Sequence, residues 1–378
     1  MKVPQIFDRN MKRLAFLDNA VSVGYSLEIN SLWTATFTLP ADDDKNAYCQ
    51  PLNFVEIFDG DERIDLFRII GEDLERSNGA TRFYDCEHVL ATLLSDVLFQ
   101  YHQYGGGGIK TADVLNYVLA RQTTRNWVLG DCDFKRYFEY NWENSTLLAA
   151  LFAVPECFDS EYMWTWDTTV YPWTISLVAP SDTMKSEVRY AKNMTSMKKT
   201  VDASGIANRI YALGYGEGVN QLTIAGVNGG KPYVEDAMSI QQYGLCSTIL
   251  VDSRYEVAEN LKGYAEQMLA ELKNPYVSYE IGAIDLHRLT GDTFSKFRPG
   301  EIVRVVDEAD GINLRTRIVS VEKSDAQGDP GSVTVTIANK SKDIAGSISE
   351  LQNRALINET YAQGATNQQI YNFTDNAD

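Results

Sequence analysis

Residues 278–339 constrain the fold more than any other stretch. They begin Tyr279-Glu280-Ile281-Gly282-Ala283-Ile284-Asp285-Leu286 and pass through Phe297-Arg298-Pro299-Gly300-Glu301 into Ile302-Val303-Arg304-Val305-Val306-Asp307. After a turn over 308–311 come Leu314-Arg315-Thr316-Arg317-Ile318-Val319-Ser320-Val321 and then Val333-Thr334-Val335-Thr336-Ile337. β-branched side chains are stiff at χ1 and pack well on a pleated surface, and Pro, Gly and Asp break the runs into turns, so the stretch predicts an antiparallel meander. The last run alternates, with Val333, Val335 and Ile337 on one face and Thr334 and Thr336 on the other, the pattern of a half-buried strand.

An earlier stretch repeats this pattern. Phe54-Val55-Glu56-Ile57-Phe58-Asp59 lies over Ile302-Val303-Arg304-Val305-Val306-Asp307, and Leu66-Phe67-Arg68-Ile69-Ile70 lies over Arg315-Thr316-Arg317-Ile318-Val319. Both read apolar strand, Asp-led turn, strand with an Arg among apolars. The plainer alternative is that any two hairpins of one sheet type look alike. A genuine repeat predicts two related barrels that superpose strand on strand, and a trimer of such chains would then offer six similar units around an axis. If both hairpins lie in one continuous sheet instead, the duplication fails.

The chain has 378 residues, which suggests two to four domains, and 44% hydrophobic with 23% charged content is globular rather than disordered. No segment has the uninterrupted apolar length of a membrane span, and Met1-Lys2-Val3-Pro4 does not read as a signal peptide. The five cysteines (Cys49, Cys86, Cys132, Cys157, Cys246) are scattered without a C-x-x-C pair, so they read as reduced thiols of a protein made in a cytoplasm. A net charge of −18, from 34 basic and 52 acidic residues, argues against a nucleic-acid grip, which needs a basic face; solubility alone is the plainer reading of that charge.

Helices are expected in fewer places. One is predicted from near Asp85, with Val89, Leu90, Leu93, Leu94 and Val97 on one face, and another after Thr111 as N-cap, carrying Val114, Leu115, Val118 and Leu119. A short helix over 147–152 should stop at Val154-Pro155. The clearest has Ser253 and Glu256 as a capping box, an apolar stripe of Val257, Leu261, Tyr264, Ala265, Met268, Leu269 and Leu272, and a stop at Asn274-Pro275.

Candidate chemical motifs fail on spacing. Asp42-Asp43-Asp44 lacks the alternate carboxylates, Gly and distant Glu of a calcium loop. Gly105-Gly106-Gly107-Gly108-Ile109-Lys110-Thr111 separates its Lys from the last Gly, so amides and ammonium would not converge on one phosphate. His88, His102 and His287 have no metal-ligand spacing, and His88 reads as structural. Neither a cofactor nor a metal site is predicted. Two readings from other classes stay open. Glu156, Asp159, Glu161 or Asp167 would be the acids of a peptidoglycan or polysaccharide hydrolase, and Trp164, Trp166 and Trp173 would be the platform of a carbohydrate-binding module. Aromatics in a hairpin are more often core.

Three further features carry a family resemblance. They are Arg189-Tyr190-Ala191-Lys192-Asn193-Met194 with Asn208-Arg209-Ile210-Tyr211-Ala212-Leu213-Gly214-Tyr215-Gly216; Gly230-Lys231-Pro232-Tyr233-Val234-Glu235-Asp236; and the block from Asp285-Leu286 to Asp307 with Phe297-Arg298-Pro299-Gly300-Glu301. In that order they resemble the N-terminal structural region of phage tail proteins called prophage endopeptidase tail or tail-associated lysin. The resemblance implies a fold like a baseplate hub, mainly β with α+β insertions, with two related β-barrel domains plus peripheral domains. It implies a homotrimeric, pseudo-sixfold ring in the virion tail tip, assembled in the host cytoplasm. Such a ring joins the tail tube and distal tail protein to the tip, meets other tail-tip or tape-measure proteins, and lets phage DNA pass without specific binding. No membrane anchor is implied.

The predicted domains are 1–97, a first barrel; 98–185, a peripheral α+β insertion; 186–235 with 276–343, a second barrel; 236–275, a helical insertion; and 344–378, a stalk or tail. Ile344, Ile348, Leu351 and Ala355 fall at alternating four- and three-residue steps, so a trimeric stalk and a frayed helix both fit. Members of the family often continue into a peptidase, muralytic or fibre region. Here either the product ends soon after Ile344 or a longer protein carries that part.

Overall fold

Strands recur from Gln5 to Ala338. A computed structural model describes residues 2–76, 79–158, 160–291, 296–309 and 311–338, without the side chains of Arg288 and Leu289. The stalk positions Ile344, Ile348, Leu351 and Ala355, and Asp159, lie outside the described residues. In chain order the first strands are β1 (Gln5–Phe7), β2 (Arg13–Phe16), β3 (Ser22–Glu28), β4 (Thr34–Pro40), β5 (Phe54–Asp59), β6 (Glu62–Glu75), β7 (Thr81–His88) and β8 (Val97–Gly105). Helix α1 (Thr111–Leu119) precedes β9 (Trp127–Cys132) and β10 (Glu139–Thr146), and α2 (Leu147–Phe152) precedes β11 (Met163–Asp167), β12 (Trp173–Val178), β13 (Met184–Arg189) and β14 (Met194–Asp202). Then come β15 (Arg209–Leu213), β16 (Tyr233–Glu235), α3 (Ala237–Tyr243), β17 (Ser247–Val251), α4 (Ala258–Leu272), β18 (Tyr276–Ile284), α5 (Leu286–Thr290), β19 (Ile302–Asp307), β20 (Ile312–Lys323) and β21 (Ser332–Ala338). The fold is mainly β with α+β insertions, as the sequence implies.

The described residues divide into two units, the first of residues 2–155, 160–200 and 277–338 and the second of 156–158 and 201–276. In the first, thirteen strands share one hydrogen-bonded sheet with the main order β14-β18-β21-β20-β3-β4-β7-β6-β5-β1-β2; β20 also pairs with β19, and β19 with β13. The two hairpins, expected in separate barrels, therefore lie in one continuous sheet. That outcome overturns the expectation of two separate duplicated barrels; what recurs is an order of five strands within one sheet, and the continuity has a local cause. No strand belongs to both sets; β3 pairs with the last residues of β20, Ser320 to Glu28 through Lys323 to Tyr25, and so joins two complete sets edge to edge.

Strand for strand, the two sets agree. β3-β4-β7-β6-β5 and β14-β18-β21-β20-β19 are paired in the same succession. β5 and β19 share one pattern of buried positions, in which only Glu56 and Arg304 are half-exposed. Both β6 and β20 pair by their first half with the preceding strand and by their second half with the following one. The register shifts at the same place, skipping Ile70 between Ile69 and Gly71 in one copy and Val319 between Ile318 and Ser320 in the other. Such a bulge bends a strand and lets its halves serve different neighbours. Ahead of each hairpin, Pro51-Leu52-Asn53 and Pro299-Gly300-Glu301 make the same turn, with φ of 66° at Leu52 and 84° at Gly300. Leu52 N–H donates to Ile69 O (2.8 Å) and Gly300 N–H to Ile318 O (2.8 Å).

Each set has its own core. The first includes Val23, Phe37, Leu39, Val55, Ile57, Phe67, Ile69 and Tyr84, with Ala326 reaching in from the end of β20. The second includes Ile281, Val303, Val305, Ile318, Val321, Val333, Val335 and Ile337, so the alternation read in β21 is the one observed. A fully buried side chain of this size contributes about 1.5–3 kcal/mol.

Local expectations near helices need correction. Residues 81–88 are strand, and only Val89–Leu94 turns, as a 3-10 segment: Cys86 and Tyr84 pair into β6 and β4, and sheet pairing overrides the helical spacing. Thr111 is the first residue of α1 rather than its cap; Lys110 holds the cap position, its N–H donating to Asp113 Oδ2 (3.3 Å), and Thr111 is buried against Arg136. The box of Ser253 and Glu256 does not form, because α4 starts at Ala258 with Val257 at the cap position, and Asp252 instead binds Arg254. The apolar stripe of α4 from Leu261 to Leu272 is buried as expected, and α2 spans Leu147–Phe152.

In the second unit β15 is central, antiparallel to β16 and parallel to β17, with α4 buried along its apolar face. Asp236 caps α3 by accepting from Ser239 N (2.9 Å) and pairs with Lys273 Nζ (2.9 Å).

Candidate functional site

The joint between the two strand sets carries a buried polar cluster. β20 alternates inward at Val321 and, two residues on, at Lys323, so the same period that builds the core carries an ammonium into it. Lys323 is 2% exposed. Its Nζ donates to Asp59 Oδ2 (2.6 Å), Asp285 Oδ2 (2.8 Å) and Pro330 O (3.0 Å). Asp59 ends β5 in the first set, Asp285 follows β18 in the second, and Tyr25 of β3 donates its hydroxyl to Asp59 Oδ2 (3.0 Å). Burial, with Asp59 beside it, raises the Tyr25 phenol well above its ordinary value and keeps it a donor. An ammonium withdrawn from water is costly unless paired, and here two carboxylates and a carbonyl meet it.

A cavity of about 690 Å3 opens beside the cluster, lined by Tyr25, Lys323 and Asp285 on one side and by Trp164, Trp166 and Asp167 of β11 on the other. Its rim holds Glu62, which pairs with Lys296 and with Arg298 Nη2 (2.8 Å). Burial pushes the Glu62 carboxyl up, and the two cations outweigh it, so Glu62 lies below its ordinary value. Deeper, Asp65 accepts from Thr168 Oγ1, Leu66 N (2.7 Å) and Arg63 Nη1 (3.3 Å), and His88 Nε2 lies 3.4 Å away. Burial raises Asp65, but His88, Arg63 and Thr168 together lower it. His88 is buried, accepts from Leu90 N at Nδ1 (3.2 Å), and packs between Trp33 and Trp166 at centroid distances of 5.7 and 4.8 Å. It is a structural histidine, as read.

Of the residues of the rival readings, Trp164, Trp166 and Asp167 share the cavity wall, whereas Trp173, Glu156 and Glu161 do not line it. Trp164 and Trp173 are 3% and 1% exposed; Trp164 stacks on Phe152, and Trp173 packs on Phe54 and Trp127. Neither belongs to an open platform. Glu161 pairs with Arg317 Nη2 (3.0 Å), whereas Asp167 accepts from Thr169 N (2.8 Å) and Thr169 Oγ1 (2.6 Å), which hold it below its ordinary value. A general acid needs the opposite shift. Glu156 belongs to the second unit. Among the described residues no group of three or more His, Cys, Asp or Glu is placed to hold a metal. Sequence reasoning missed Asp59, Asp285 and Lys323; the signal was Lys323 sitting in phase with Val321.

This strand arrangement is the fold of prophage tail proteins. Prophage tail protein gp18 of Listeria monocytogenes EGD-e matches with a TM-score of 0.63 and 14% identity, over 93% of this chain and 99% of that one. The 43 kDa tail protein of prophage MuSo2 from Shewanella oneidensis matches with 0.63 and 14%, over 90% and 98%. The tail protein from Neisseria meningitidis MC58 matches with 0.63 and 11%, over 89% and 96%. In sequence, the prophage endopeptidase tail model matches residues 181–348 and the prophage endopeptidase tail domain model matches 106–172. The chain belongs to the prophage endopeptidase tail family and is a phage tail protein. No curated protein matches it.

Proposed function

We propose that this protein is a structural hub of the phage tail tip: three copies close into a ring of pseudo-sixfold symmetry that joins the tail tube and distal tail protein to the tip. The observation that carries this reading is the recurrence of one five-strand set, down to the bulge at Ile70 and at Val319. Two such sets per chain give a trimer six similar units, which is what a match between sixfold tube and threefold tip requires. The prophage tail family supports the place in the virion, with assembly in the host cytoplasm. DNA passes through the ring without being gripped; the chain's net charge of −18 supports this, because trapping phosphate takes a basic lining. Residues 98–185 and 236–275 occupy the periphery. Light scattering on the purified chain tests the ring: a mass three times 42.4 kDa is expected, and a monomer at every concentration overturns it.

A further inference from the structure

The way the two sets meet inside one chain specifies how the next chain is met. Within the chain, β3 opens the first set and pairs with the second half of β20 in the second set, and Ile29 N–H donates to the carbonyl of the bulge residue Val319 (2.9 Å). The counterpart of β3 in the second set is β14, since β3 precedes β4 as β14 precedes β18 in the paired succession. The counterpart of residues 320–323 in the first set is residues 71–74 of β6, just beyond the bulge residue Ile70.

Both counterparts are open. Among the described residues β14 ends the sheet with β18 as its one paired strand, and residues 71–75 of β6 pair with β7 and no other strand. Exposed strand edges of this kind are templates for another strand. Their side chains differ in sign. β14 carries Lys198 and Lys199, whereas this part of β6 carries Glu72, Asp73 and Glu75, all exposed. Ile70 and Leu74 are 51% and 42% exposed, while Val319 and Lys323 at the equivalent positions are half-buried and buried beneath β3.

We infer that β14 of one copy adds, antiparallel, to residues 71–75 of β6 in the next copy, reproducing between chains the β3–β20 joint found within each chain. The occupant is a second copy because the chain holds both edges, complementary in charge and each shaped like one side of a joint already formed. The contact is heterologous, so it propagates until the ring closes, and it rests on the ring reading above.

Charge reversal tests it on the full chain. Lys199→Glu and Asp73→Lys, each at an exposed position, should each raise the dissociation constant of the trimer at least tenfold, and the double variant should return it to within about threefold of the parent. Circular dichroism should stay unchanged. A parent chain that stays monomeric overturns the ring and this contact together. A trimeric parent whose single variants assemble as tightly as it does overturns only the β14–β6 contact. Loss in the singles without recovery in the double overturns the pairing of these two charges.

Discussion

The hairpin β5–β6 and the hairpin β19–β20 have the same backbone and different surroundings. Both start from a Pro-led turn, bury the same positions, end the first strand in a buried Asp and bulge at the same residue. Beyond the bulge they part. In the second copy β3 lies alongside, and Lys323 is buried on two carboxylates; in the first copy no described strand lies on that edge and the equivalent Leu74 is exposed. The conserved Arg positions diverge too. Arg68 reaches across to Glu87 (2.7 Å), whereas Arg317 turns to Gly300 O (2.8 Å), Ser181 O (3.0 Å), Glu161 (3.0 Å) and Asp182 (3.1 Å). Local sequence sets the hairpin, and its neighbour decides what its second half becomes.

The largest expected difference between the copies is at the paired positions Lys323 and Leu74. Lys323→Met strands Asp59 and Asp285 without their cation and should destabilise by about 3–5 kcal/mol, whereas Leu74→Met, at the surface, should stay within about 0.5 kcal/mol. Equilibrium denaturation reads both; equal effects would erase the distinction drawn between a joined edge and a bare one.

The turns ahead of the hairpins give a smaller contrast. Leu52 occupies a left-handed backbone that Gly300 adopts without strain, so Leu52→Gly should be neutral or stabilising by up to about 1 kcal/mol. Gly300→Ala should destabilise by about 1 kcal/mol, because its φ of 84° strains a residue that bears a Cβ, and the added Cβ would also crowd Met163 Sδ. Thermal unfolding of the two variants should shift in opposite directions or, at the least, only the second should fall.

Acid should act on the first set through Asp65, which has no counterpart ion cluster in the second hairpin's turn among the interactions described. Its carboxyl is lower in the folded chain than its free value of about 3.9. Its stabilisation is therefore complete above about pH 4 and is lost as pH falls through the depressed folded value. Asp65→Asn should flatten the stability–pH curve below pH ~4. Smallest of all, duplex DNA at physiological salt should show no retention by the chain, and strong salt-sensitive binding would sink the passive-passage reading.

Much of the fold was legible because the deciding signals were short-range. The alternation of Val333, Val335 and Ile337, the stripe of α4 and the likeness of the 54–59 and 302–307 runs each depend on neighbours within a few residues. What escaped depends on distant partners. Residues 89–97 have helical spacing, yet β7 before them is held by β4 and β6. The edge pairing of β3 with β20 joins residues almost three hundred positions apart and leaves no periodic trace. The same holds for the cluster at the joint: Asp59 and Asp285 look like turn residues until Lys323 is placed between them.

The claim on which the account rests is that the two strand sets occupy equivalent places around one axis. Electron microscopy of the purified assembly viewed down its axis tests this directly. The account predicts threefold symmetry with a strong sixfold component at the radius of the sheets, each five-strand set repeating at close to 60° intervals. An assembly of any other order, or a threefold ring in which the two sets lie at different radii, would contradict it.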